Sequence, residues 1–503
     1  MPQASGLQFT ARVGGLPSDL FSVVGFTLTE RLSEVFYGHL ELSSTDPSIQ
    51  ASEILEQPLD LVVWQDGEPL RRFTGVVNEF VRGDAGHRRT RYELNIQPPL
   101  WRLGMMHNSR MFQTQSTDTI VRTLLEERGI IDSVFDLKRT PEQREYCVQH
   151  RESDLAFLER LAAEEGWHYR YEHGSVDAET QPALVIADHH GDAPKLEPAE
   201  YNAKAGGSTK RPSVFRFRYE ERVRVASVAM KDYTFRNPAY ALMHEQASGD
   251  LKHREDYQHY DYPGRFKADA SGQPFTEARL QSLRNDASTA SGESNRPDFC
   301  AGAKVELKEH DSAALNREWL LTAVTHTGSQ PQALEEEGGS DPTTYHNQFN
   351  AIPADLTWVP QTPHRPLMDG PQIAIVTGPE GETTYDPGTL EKEFETFRLV
   401  TTTPWREEPA TFEGIMLRDL LERNGLRQAT GIKVTAENDY EVTIPSEVFN
   451  EVPIMIATRL NGQPHHRRAR GPLQFVIPMD VFEDLDLTER YWVWMAARIA
   501  PAE

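Results

Sequence analysis

The sequence predicts a mainly β protein with an α+β insertion, followed by a separate α+β domain. Three patterns in its 503 residues carry that prediction. From Leu7 to Leu100, and again from Val214 to Ile352, short segments alternate apolar and polar residues with period two, as strands do when one face meets a core and the other meets water. Between Trp101 and Tyr171 the period becomes helical. Beyond Pro353, Pro360, Pro363 and Pro366 lies a stretch with its own complement of apolar strands and one apolar helix.

Taken in order, Phe9–Val13, Gly38–Ser43 and Tyr92–Ile96 read as strands, separated by turn residues at Gly14-Gly15, Asp66-Gly67 and Gly83-Asp84. Residues 1–100 are therefore expected to form a β-barrel or sandwich. Residues 101–213 form the insertion. In it Ser116-Thr117-Asp118 precedes Ile120, Val121, Leu124 and Leu125 with Gly129 after them, and Ser153 precedes Leu155, Phe157, Leu158 and Leu161 with Gly166 closing. Each set is an N-cap, an apolar stripe and a C-terminal glycine. Residues 214–352 return to strands such as Arg222–Val225, Lys304–Leu307 and Leu320–Val324, interrupted by a helix over Pro274–Ala287 and a solvated loop over Thr327–Thr344. A proline-rich linker is expected over 353–372. In the last segment, 373–503, a helix is predicted over Phe412–Gly425 and strands over Val452–Leu460, Leu473–Ile477 and Tyr491–Ile499.

Composition narrows the function. Fifty-two basic against 77 acidic residues leave a net charge of −25. Such a chain repels phosphate backbones unless its basic residues gather on one face, so nucleic-acid binding is not expected. Two cysteines, Cys147 and Cys300, make neither a disulfide framework nor a four-thiolate zinc site. No run approaches the roughly 20 apolar residues that span a bilayer, so no transmembrane segment is expected. Met1–Gly6 has no signal-peptide pattern.

The segment Tyr146-Cys147-Val148-Gln149-His150-Arg151-Glu152-Ser153-Asp154-Leu155-Ala156-Phe157, with Glu164-Glu165-Gly166 after it, resembles the VgrG family of type VI secretion spike proteins. Further motifs keep the family order over residues 7–382: Leu32–Phe36, Asn108–Phe112, Tyr260–Gly264, Tyr345–Phe349 and Gly370–Pro379. The resemblance implies a phage-tail-hub-like pair of β-barrel domains and a homotrimer docked on a hexameric Hcp ring. An effector or adaptor would travel with it. It further implies assembly in the cytoplasm and export by the secretion machine, in keeping with a start that carries no signal peptide. Members continue from the glycine–proline entry into an OB-fold and a triple-stranded needle. Here the chain from about Thr384 resembles instead the molybdopterin-binding domain of sulfite-oxidase-type oxidoreductases, through Thr401–Trp405, Phe412–Gly414, Leu417–Leu421, Glu437–Tyr440, Asn461-Gly462 and Gly471–Leu473.

That second resemblance raises the question of a cofactor. Catalytic members hold molybdenum through a cysteine thiolate, a soft ligand, and residues 373–503 contain no cysteine. No molybdopterin, metal or catalytic residue is therefore expected. The one dense basic cluster, Arg467, Arg468 and Arg470, is the candidate anion site, set against its reading as a solvated loop. His189-His190, His244, His253 and His259 lack metal-ligand spacing, and Asp261 reads as turn chemistry. The sequence thus points to a structural spike component with an accessory or cargo domain. The alternatives are a carrier of a molybdopterin-type oxidoreductase and a non-functional fusion lacking the needle.

Overall fold

The computed structural model describes residues 6–175, 181–203, 212–234, 240–249, 254–334, 341–363, 374–378, 381–437, 440–466, 470–485 and 487–502. It divides into two units, Met1–Pro366 and Leu367–Glu503.

In the first unit six strands run in the order Leu7–Val13, Pro58–Gln65, Glu68–Ala85, Thr90–Gln97, Tyr37–Ser44 and Ser22–Arg31. Pairing of Thr10 with Ser22 closes them into a barrel. Their inward residues, among them Phe9, Phe26, Val63, Phe73 and Leu94, form its core. Ser22–Arg31 then pairs on its other edge with Glu318–Ser329. From there the sheet continues through Thr344–Pro353, Ser288–Ser294 and Val214–Glu221. A bridge from Val214 to Tyr201, and the pairing of Ala199–Glu200 with Lys304–Lys308 and of that strand with Glu318–Ser329, complete a second ring around Trp319, Phe349 and Phe299. The two barrels therefore share one continuous sheet. Ala199–Tyr201, placed in the insertion by the sequence, pairs within the second barrel.

The insertion pairs His107–Ser116 with Gln143–Ser153, carries helices Thr117–Glu126 and Asp154–Glu165, and adds a sheet of His168–Glu172, Ala183–Ala187 and Ser133–Asp136. Ser153 caps its helix by accepting the Ala156 N–H, and Gly166 ends it at φ +79, as the cap residues predict. Within 214–352, three strands (Leu242–Ala247, Ser227–Asp232 and Gln258–Asp261) make a small sheet of their own, covered by helix Asp269–Leu283. That helix starts five residues before Pro274, which it tolerates internally. The predicted loop over Thr327–Thr344 is shorter than expected, because strand pairing runs to Ser329 and resumes at Thr344.

The proline-rich stretch also begins differently. Pro353 ends a strand, and the chain stays on the hub through Pro360. Val359 exchanges backbone bonds with the Asn285 amide, Ser282 Oγ donates to the Pro360 carbonyl at 3.0 Å, and His190 Nε2 lies 3.1 Å from the Trp358 carbonyl. Polar pairing of this kind removes the solvent freedom that makes a linker.

In the second unit one sheet orders Gly381–Tyr385, Ala374–Gly378, Ala496–Pro501, Gly431–Ala436 and Glu441–Pro445. A second orders Phe397–Thr403, Arg406–Met416, Met455–Leu460 and Gln463–Pro464, with Gln474–Val476 on Met455–Leu460. The helix expected over Phe412–Gly425 is only Leu417–Arg423. Phe412–Met416 belongs to a strand, where Ile415 and Met416 pair with Ile456 and Met455. Tertiary pairing overrides the helical spacing there. The last strand begins at Ala496, because Glu489–Tyr491 forms a short 3-10 turn.

Candidate functional site

The residues that carry the hub resemblance fold into a buried ion-pair network. Arg144 donates to Glu164 Oε2 at 2.7 Å and to Glu165 Oε1 at 2.8 Å. Arg139 reaches Glu165 Oε2 at 2.6 Å, Thr117 Oγ1 donates to Glu165 Oε1, and Arg160 forks onto both oxygens of Glu152. The fully buried Asp154 accepts from Gln149 Nε2 and from Arg128. Burial alone would push the Glu164 carboxyl up, but Arg144, Arg160 and Arg265 outweigh it and hold the group below its ordinary range. Arg265 comes from beside the small sheet, and Arg144 also lies over the ring of Phe275 at 5.7 Å. The network therefore ties the insertion to the helix over the small sheet. These side chains are paired with one another, which suits positioning, although Arg128 Nε, Arg139 Nη1 and Arg160 Nη1 are buried without a hydrogen-bond partner.

A second buried cluster joins the barrels where they share Ser22–Arg31. Glu30 pairs with Arg71 at 3.0 Å, faces His173 at 3.5 Å, and accepts the Ala301 N–H. His326 Nδ1 lies 2.6 Å from the Tyr345 hydroxyl. Burial pulls His326 down to about 3, and it pushes the nearby Cys300 thiol up to about 11. A thiol held protonated is a poor nucleophile.

Asp136, His189 and Asp192 bring three ligand atoms within 4.8 Å of one another. His189 Nδ1, however, accepts the Gly191 N–H at 2.9 Å. That contact occupies one ring nitrogen, and Nε2 lies 3.3 Å from Asp136 Oδ1 and 3.8 Å from Asp192 Oδ2. His244 pairs with Asp269, His259 faces Arg279, and His253 lies outside the described residues.

In the second unit Arg467 and Arg468 lie outside the described residues. Arg470 is not a solvated loop residue. Its guanidinium sits in the corner between two indoles, 4.1 Å from the Trp405 ring centre and 4.3 Å from that of Trp494, at a backbone φ of +80. Its Nη1 is buried without a hydrogen-bond partner. Nearby in the chain, His465 Nε2 lies 2.8 Å from Gln474 Oε1. Trp405 and Trp494 come from distant strand ends, and no spacing in the sequence links them to the basic cluster. The unit's residues include no cysteine, and Arg470, the described arginine of the basic cluster, is already engaged by aromatic faces. These residues do not fit a thiolate-held molybdenum.

Residues 29–332 match the phage tail baseplate hub (GPD) family. The chain belongs to that family. Within this hub chain, residues 387–483 match the oxidoreductase molybdopterin binding domain. The chain is 41% identical over 390 residues to the type VI secretion system spike protein VgrG3 of Vibrio cholerae, covering 75% of this chain and 38% of that protein. It is equally 41% identical over 387 residues to the actin cross-linking toxin VgrG1 of V. cholerae, covering 75% and 35%. The chain thus spans little more than a third of the length of these relatives. Among solved structures, the E. coli c3393 protein, a type VI secretion component, superimposes with a TM-score of 0.55 at 21% identity, covering 73% of this chain and 84% of that one. A tail protein of Neisseria meningitidis superimposes with a TM-score of 0.51 at 12% identity, covering 70% and 98%. Both likenesses concern the fold. Among the described residues no helix is long and apolar enough to cross a membrane.

Proposed function

We propose that the chain acts as a spike or tip component of a type VI secretion system. In this reading the hub half assembles as a homotrimer and docks on the Hcp hexamer ring. The second unit rides as an accessory or cargo domain, and an effector or adaptor can join it. Assembly takes place in the cytoplasm, and export is by the secretion machine. The observation that supports it best is the 41% identity to a spike protein over 390 residues, 75% of this chain. The role asks for no bond chemistry, and the mutually paired buried charges of the hub accord with that. The native mass of the full chain, alone and mixed with purified Hcp, tests the reading. A trimer that co-sediments with the ring is expected, and a monomer that ignores Hcp at every concentration would end it.

The second reading makes the Leu367–Glu503 unit an oxidoreductase carried by the hub, and the family match over 387–483 speaks for it. The missing thiolate speaks against it. Elemental analysis of the purified chain separates the two, because stoichiometric molybdenum favours the enzyme.

A further inference from the structure

At one end of the small sheet the structure holds an open cleft of about 440 Å³, lined chiefly by four tyrosines, Lys231 and Asp232. Strand alternation puts part of it there. Val228 and Met230 face the core under helix Asp269–Leu283, so Ala229 and Lys231 turn outward, and Tyr260 joins them through its register with Ala229. Tyr233, Tyr240 and Tyr262 sit within two residues of the ends of the three strands. All four rings are 47–57% exposed. The walls are pinned in advance. Asp232 is buried and accepts the Tyr233 N–H at 2.6 Å, the Arg265 N–H at 2.6 Å and the Lys267 ammonium at 2.9 Å. The Tyr240 hydroxyl donates to Asp269 at 2.8 Å. A cleft held open by its own polar contacts loses little entropy when a guest arrives.

Magnitudes narrow the guest. A fully buried aromatic side chain covers about 150–250 Å², so four tyrosines at half exposure offer roughly 400 Å². A stable protein interface takes about 800 Å² from each partner. The cleft is therefore sized for a small ligand, and its volume lies within the roughly 300–1,000 Å³ of such sites. Aromatic cages trap quaternary ammonium ions on their ring faces. Here Lys231 stands in the lining and Lys267 already neutralises Asp232, so a cationic guest meets repulsion. A stacked nucleobase would bring phosphate to a chain of net charge −25. What remains is an uncharged guest with an apolar face for the rings. Its rim must both give and take hydrogen bonds, because a phenol hydroxyl does both.

We propose that this cleft binds a saccharide, with a β-linked, gluco-configured chain as the fitting class. All-equatorial hydroxyls leave flat C–H faces on both sides of each sugar ring, and these faces lie on the exposed tyrosine rings. The rim hydroxyls exchange hydrogen bonds with the phenols and accept from the Lys231 ammonium. A proline-rich peptide also docks on aromatic grooves, but proline carries no N–H, so it would use only the donors of this lining.

Saturation-transfer NMR on the full chain tests this with cellohexaose, chitohexaose and decaproline. Saturable binding of at least one oligosaccharide is expected, with the strongest transfer at its ring C–H protons. Tyr260→Ala should weaken that binding about tenfold through the loss of one ring contact. Lys231→Met should weaken it less. Tyr257 is an exposed tyrosine beside the same sheet but outside the cleft, so Tyr257→Ala should leave binding unchanged. Melting curves check that the variants are folded. No saturation by either oligosaccharide, binding that ignores Tyr260→Ala, an equal loss in Tyr257→Ala, or capture of decaproline in place of sugar would each overturn the assignment.

Discussion

A β-carbon built on Gly166 would stand 2.9 Å from the β-carbon of Ala278. The end of helix Asp154–Glu165 thus meets helix Asp269–Leu283 at a distance that only a glycine permits. Gly166 meets two demands at once, since it also turns the chain at φ +79. Gly166→Ala should therefore destabilise the hub by about 2 kcal/mol or more, from the left-handed backbone and the overlap together. Ala278→Gly removes the overlap but places a glycine inside a helix, at a cost of about 1 kcal/mol of its own. In a double-mutant cycle by chemical denaturation the double variant should therefore lose less than the sum of the two single losses, and strict additivity would place the whole cost of Gly166→Ala in the backbone.

Arg144 is held by two carboxylates that are otherwise buried, Glu164 and Glu165. Replacing it with Met leaves those charges with less compensation, and breaking a buried pair from one side typically costs about 3–5 kcal/mol. Arg144→Met should lower the denaturation midpoint by far more than Arg216→Met, whose Glu293 pair is largely exposed. Equal effects would mean the network carries no special weight.

The cap residues of this region were legible in the sequence because capping is local. Ser116, Ser153 and Gly166 each sit within one turn of the helix they bound. The fusion of the barrels was not legible. It depends on contacts such as Thr29 Oγ1 with Thr325 Oγ1, 3.1 Å apart and 296 residues distant in the chain. Period-two alternation says which face of a strand is buried and nothing about which strand lies beside it. The motifs supplied that neighbour only through resemblance. The basic cluster shows the same limit, since Arg470 stands out by charge while the indoles that hold it lie 65 and 24 positions away in sequence. Helical spacing misled at Phe412–Met416 for a related reason, because pairing with Met455–Leu460 outweighs the local pattern.

His190 stacks on His168 with ring centres 4.0 Å apart and binds the Trp358 carbonyl of the outgoing chain. Burial is the main cause that pulls His190 down to about 4, from an ordinary 6.5. A base with a depressed folded pKa stabilises fully above its unfolded value and loses that contribution as pH falls toward its folded value. The hub should hold its stability above about pH 6.5 and lose on the order of 3 kcal/mol through this group by about pH 4. His190→Gln stays neutral throughout. Thermal melts from pH 7 to 4 should fall less steeply for the variant than for the parent, and parallel curves would remove His190 from the account.

Arg470 supplies the last test, because its two indole neighbours separate a structural role from an anion site. A guanidinium over a tryptophan contributes about 0.5–1 kcal/mol when exposed and about 2 when desolvated. Arg470→Ala should therefore cost about 1–2 kcal/mol, more than an ordinary surface arginine. Arg470→Lys should recover part of that, since an ammonium still meets the rings but cannot stack flat on them. Anion binding follows a different rule. Inorganic phosphate or a phosphorylated pterin would stabilise the parent as RT ln(1 + [L]/Kd), about 2.7 kcal/mol at 100 times Kd. The melts need constant ionic strength, because screening alone shifts a chain of this charge. With Nη1 buried and both indoles in contact, the expected result is a stability loss in Arg470→Ala and no saturable ligand shift in the parent. A saturable shift in the parent that vanishes in Arg470→Ala would make the residue an anion ligand and move the second unit toward the cofactor-binding reading.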